Sequence, residues 1–157
     1  MEANHQEYLN EAIDISVQSI KDGGGPFGAV IVKDGEIIAR GSNGVTKDTD
    51  STAHAEIVAI REACKALNSF QLTGCTLYSS TEPCPMCLGA VYWARFDSVY
   101  FSSTKEDAAN YGFDDSFIYE EISKEGGSRS IPFIKLEVEN SLRAYTDWEE
   151  KEDKIHY

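Results

Sequence analysis

Apolar residues recur along this chain with two periods, and the change from one to the other marks out its elements. From Tyr8 to Ile20 the side chains Tyr8, Leu9, Ala12, Ile13, Val17 and Ile20 return every three or four positions, the spacing of an amphipathic helix. Gly23-Gly24-Gly25 stops that helix and Pro26 prevents its continuation. Phe27 to Val32 is a short apolar run rich in β-branched residues, and Ile37-Ile38-Ala39 returns it across Asp34-Gly35. An Asp-Gly pair between two such runs predicts a hairpin. The polar stretch from Ser42-Asn43-Gly44 through Asp48, Asp50 and Ser51 reads as a loop, with Thr52 the expected N-cap of a helix from Ala53 to Leu67. Cys75 to Ser79 reads as a buried strand, Pro85 to Arg95 as a helix and Ser98 to Ser102 as another strand. Lys105 to Asn110 is a short helix ended at Gly112, and Phe113 to Ile122 is a second short helix or a structured loop. Ile131 to Val138 alternates as a strand does, and Ser141 to Tyr157 is helical and heavily charged.

The predicted order is α-β-β-α-β-α-β-α-β-α. A hairpin followed by strand–helix alternation implies an α/β fold, a three-layer α/β/α sandwich around a mixed five-stranded sheet. The 157 residues suit one domain with one core, so residues 1–157 are expected to form a single domain closed by a helical tail at 141–157.

Charge narrows the partners. The formal net charge is −13, and the 14 Lys and Arg residues form no cluster. So acidic a surface repels phosphate backbones, which disfavours nucleic acid and favours a small neutral or weakly charged substrate. The start of the chain lacks the basic and apolar pattern of a signal peptide, and Ala29-Val30-Ile31-Val32 is too short to span a bilayer, so no membrane contact and a cytoplasmic location are expected. In a reducing compartment, Cys64, Cys75, Cys84 and Cys87 are poor candidates for a disulfide framework.

Cys84 and Cys87 frame a turn, Pro83-Cys84-Pro85-Met86-Cys87, and His54-Ala55-Glu56 lies upstream. Zinc takes thiolate and imidazole ligands in tetrahedral geometry, and catalytic sites leave one position to water. His54, Cys84 and Cys87 supply three ligands, and neither Cys64 nor Cys75 stands at ligand spacing from them. Pro85 suits the first turn of a helix, which puts Cys84 at the cap, where free N–H groups favour thiolate. Glu56 sits beside the metal without ligating it, at a helix tip where residues two apart can both reach one site. Water acidified to hydroxide on the zinc would be the nucleophile, and Glu56 would carry its proton to a ring nitrogen. The implied reaction is hydrolytic deamination of an amidine-like ring carbon. Singly, each feature has an ordinary reading: a surface histidine, half a zinc ribbon, a first-turn glutamate. Jointly, H-x-E with P-C-x-x-C is the signature of zinc deaminases.

At these residues the chain resembles the cytidine deaminase superfamily, and within it the bacterial guanine deaminase family. The resemblance runs from Gly24-Gly25-Pro26-Phe27-Gly28-Ala29-Val30 through both zinc motifs and Tyr92-Trp93-Ala94-Arg95. It continues to Gly112-Phe113-Asp114-Asp115-Ser116-Phe117-Ile118-Tyr119 and resumes at Tyr157. It implies a cytidine-deaminase-like fold, one zinc per subunit, and conversion of guanine to xanthine and ammonia. It also implies a homodimer whose tails are exchanged, each closing the partner's pocket. By match, Asn43 would bond the purine, Phe27 and Trp93 would border the pocket, and Tyr157 would contact the base. One aspartate of Asp114-Asp115 would contact the purine and assist proton transfer, with Asp115 favoured. The rivals are deamination of guanosine, cytosine or another small base or nucleoside, and a non-catalytic zinc-binding dimerisation module.

Overall fold

The computed structural model describes residues 4–157. Its chain forms two compact units, one ending at Asp115 and the other comprising Ser116–Tyr157.

In the first unit the Asn4 side chain caps α1 (His5–Lys21) by accepting from the Glu7 amide. Strands β1 (Gly28–Lys33) and β2 (Glu36–Ser42) form the expected hairpin. Both turn residues have positive φ, Asp34 at 51° and Gly35 at 81°, as a type I′ turn requires. A bulge follows: Ile31 faces Ala39 while Val32 faces Ile37, which leaves Ile38 as the extra residue. Then come α2 (Ala55–Leu67), β3 (Cys75–Thr81), α3 (Pro85–Ala94), β4 (Ser98–Ser103) and α4 (Lys105–Asn110).

The sheet order is β2-β1-β3-β4, with β1 antiparallel to both neighbours and β3 parallel to β4. Alternate residues of β1 serve different cores. Ala29 and Ile31 join Leu77 and residues of α2 and α3 on one face; Val30 and Val32 join Tyr78 and Ala12 of α1 on the other. Helices on both faces make the three layers. Small residues set how closely they approach. A Cβ at Gly28 would stand 2.2 Å from the Ala12 carbonyl oxygen, and one at Gly41 2.2 Å from that of Ala55. Gly41 therefore seats the first turn of α2, and with it His54 and Glu56, directly on β2.

The second unit holds α5 (Ser116–Ser123), a 3₁₀ turn at Gly126–Ser128 and α6 (Arg143–Glu150). Glu121 organises its middle, accepting from the Ser130 amide and the Lys124 ammonium at 2.7 and 2.6 Å.

Three expectations are corrected. The sheet has four strands, not five: Ile131–Val138 pairs with no strand among the described residues. An alternating pattern makes a strand only where a neighbour completes its ladder, and Pro132 offers no N–H to one. The charged helix is shorter than 141–157 and stops at Glu150. Acidic side chains at a helix C-terminus oppose the macrodipole, and Asp147, Glu149 and Glu150 crowd this one. Thr52 does not cap α2; its amide and hydroxyl both donate to Asp50, and the cap is His54.

Candidate active site

His54 and Cys84 are the N-caps of α2 and α3, both with extended backbone, so two helix N-termini converge. Pro85 takes the first helical position of α3, and Cys87 follows within the first turn. His54 Nδ1 stands 3.4 Å from Cys84 Sγ and 3.5 Å from Cys87 Sγ. A tetrahedral zinc, with bonds of about 2.3 Å to sulfur and about 2.0 Å to nitrogen, spaces such ligand atoms about 3.5 Å apart. The donor set and its spacing thus fit zinc before any ion is added. Among the described residues the group comprises these three, without Cys64 or Cys75, which leaves a tetrahedral ion one position short of closure.

Hydrogen bonding from Cys87 and then from His54 brings the Cys84 thiol down to about 4. Cys87 is pushed up by that same bond and by burial. His54 is raised, first by its hydrogen bond to Cys84. A dication between the ligand atoms would take over the role of these protons.

Glu56 is 7% exposed, in the first turn of α2. Its Oε1 accepts from Ser79 Oγ at 3.0 Å, and its Oε2 lies 3.4 Å from Cys87 Sγ. Burial raises its carboxyl above the usual range, the direction that suits an acid–base group working near neutrality. His54, preceding the helix in extended backbone, escapes the 100° rotation per residue, so it and Glu56 both reach Cys87.

The profile of the cytidine and deoxycytidylate deaminase zinc-binding region matches residues 2–103, well over half of the chain. The chain belongs to this deaminase family. A curated relative, guanine deaminase of Bacillus subtilis, is 51% identical over 98% of this chain and 99% of its own. An X-ray structure of guanine deaminase from Bacillus subtilis superposes with a TM-score of 0.97 at 51% identity, covering 98% of this chain and 99% of that one. A tRNA-specific adenosine deaminase of Bacillus subtilis is 48% identical, over 61% of this chain and 60% of its own.

The other residues expected in the deaminase site are placed as follows. Asn43 is buried, and its Oδ1 accepts from the Val45 amide at 3.1 Å. Its own amide donates to the Phe27 carbonyl at 3.1 Å. Gly25 packs so closely on the Asn43 carboxamide that a Cβ there would stand 3.0 Å from it. Phe27 meets Phe113 edge to face at 5.0 Å. Asp115 is half-buried, raised first by burial and then by the charge of Cys84, whereas Asp114 is exposed. Trp93, on α3, is 64% exposed, and Tyr157, in the second unit, 73%. Sequence reasoning missed Ser79. Its one signal was a hydroxyl on a strand position whose same-face neighbours, Cys75 and Leu77, are buried and apolar.

Proposed function

We propose that this chain hydrolyses guanine to xanthine and ammonia. One observation carries the substrate: likeness to a guanine deaminase spans 98% of the chain, whereas likeness to a tRNA adenosine deaminase spans 61%. The net charge of −13 also argues against a tRNA substrate.

Zinc held by His54, Cys84 and Cys87 supplies Lewis-acid activation of water at neutral pH. The chain's own groups do the rest. Glu56 accepts the proton of the attacking water and delivers it to a ring nitrogen, then helps protonate the departing amine. Asp115 faces the N1–H and exocyclic amine of guanine, two donors that one carboxylate accepts together, and assists proton transfer; Asp114 stands beside it. Asn43, with Oδ1 already occupied, presents its Nδ2 donors to a purine acceptor. Phe27 and Trp93 border the ring, and Tyr157 contacts the base from the tail.

The working form we propose is a homodimer with exchanged tails. Ile131, Phe133, Ile134, Leu136 and Val138 are all exposed within their own chain. A run of exposed apolar side chains of that kind suits a docking face. Four free thiols suit a reducing, cytoplasmic setting. No helix among the described residues is long and apolar enough to cross a membrane.

The test follows ammonia release by zinc-loaded protein offered guanine, guanosine, cytosine, adenine and tRNA. Turnover of guanine above the others is expected. Turnover of another substrate with none of guanine would overturn the assignment.

A further inference from the structure

We propose that Ser79 is a positioning residue for Glu56: its hydroxyl holds Oε1, so that Oε2 alone faces the metal group and exchanges protons. The proposal rests on the reading of Glu56 as proton carrier.

Ser79 lies on β3, between Ala29 of β1 and Phe101 of β4. It is 2% exposed and shares its face of the strand with Cys75 and Leu77, both fully buried in the core under α2 and α3. Those two neighbours on that face are a buried thiol and an apolar side chain. A buried hydroxyl there must instead satisfy its donor, and it does so on Glu56 Oε1 at 3.0 Å. Glu56 has three rotatable side-chain bonds, and its carboxylate oxygens are equivalent in isolation. The Ser79 bond makes them different. Oε1 is tied to the rigid centre of the sheet, and Oε2 is left 3.4 Å from the Sγ of Cys87, a member of the candidate zinc group. A water proton then passes to Oε2 and from Oε2 to a ring nitrogen. The O–H bond broken at each step is replaced by the bond formed, and Oε1 keeps its hydrogen bond throughout. Neighbouring Ser80 has a different duty: its Oγ accepts from the Gly28 amide at 3.1 Å, a bond between strands that does not touch Glu56.

The test compares Ser79→Ala, Ser79→Thr and Ser80→Ala, each zinc-loaded, by steady-state kinetics, zinc content and crystal structure. Ser79→Ala should lose about tenfold or more in kcat, the scale of one charge-assisted hydrogen bond, with KM within about threefold. It should retain its zinc, and its Glu56 carboxylate should leave its present position. Ser79→Thr should recover most of the loss, and Ser80→Ala should keep kcat within about twofold. Unchanged kcat in Ser79→Ala, an unmoved carboxylate, no recovery in Ser79→Thr, or an equal loss in Ser80→Ala would each overturn the proposal. If the wild type turns over a base other than guanine, the guanine reading fails and the same comparison is made on that base. If it turns over none, the position of the Glu56 carboxylate in Ser79→Ala decides.

Discussion

Two adjacent aspartates show how much the side chain's surroundings matter. Asp115 is half-buried and feels the Cys84 charge, whereas Asp114 is exposed. A carboxylate bonded to two substrate donors is worth about 2 kcal/mol, so Asp115→Asn should lower kcat/KM on guanine about thirtyfold. Asp114→Asn should change it by less than about threefold, as an exposed charge does. Equal losses from the two would remove the distinction. Glu56→Ala should cost at least about a hundredfold in kcat while zinc content stays at the wild-type level. Zinc loss there would make Glu56 a ligand. The candidate zinc group was legible from sequence because metal chemistry demands particular residue types at characteristic spacing. Ser79 was not, because its partner sits on another element and serine has many ordinary uses.

At the scale of elements, the site depends on two caps and on the loop that delivers one of them. Asp50 holds that loop, accepting from the Thr52 amide at 2.8 Å and its hydroxyl at 2.7 Å, while its carbonyl takes the Ala53 amide just before His54. Thr52 keeps the Asp50 carboxyl below the usual range. A carboxyl depressed in the folded state stabilises fully above its unfolded value, near pH 4, and stops doing so as pH falls through the lower folded value. The stability difference between wild type and Asp50→Ala, followed by urea unfolding, should therefore be constant above about pH 5 and shrink on acidification. A difference that grows in acid would show that Asp50 acts otherwise. The hairpin, α1 and the element order through α4 were legible because each carries its own periodicity and its own stop signals. Ile131–Val138 was misread because alternation specifies a face and not a partner.

At the scale of the whole molecule, the proposed homodimer with exchanged tails is open to direct test. Tail exchange makes a prediction that no self-contained monomer shares. A full-length Glu56→Ala chain lacks its acid–base group but keeps its tail; a wild-type chain truncated after Lys154 keeps the group but lacks Ile155–Tyr157. Each alone should be nearly inactive. Co-refolded, they should recover activity, because mixed dimers join one intact site to one intact tail. No recovery, in a mixture shown by mass to contain mixed dimers, would rule out exchange.

What the chain's own pattern determined was local or combinatorial: helices and hairpin from periodicity and turn chemistry, and zinc from the ligand types. These follow from neighbours in sequence, where the physics is short-ranged. Only the tertiary structure decided which oxygen of Glu56 is tethered, that His54 caps a helix instead of joining it, and that Asp115 is half-buried while Asp114 is exposed. Those outcomes depend on contacts between residues far apart in the chain. The close approach of α2 to β2 that Gly41 allows is one such contact, and no periodicity encodes it.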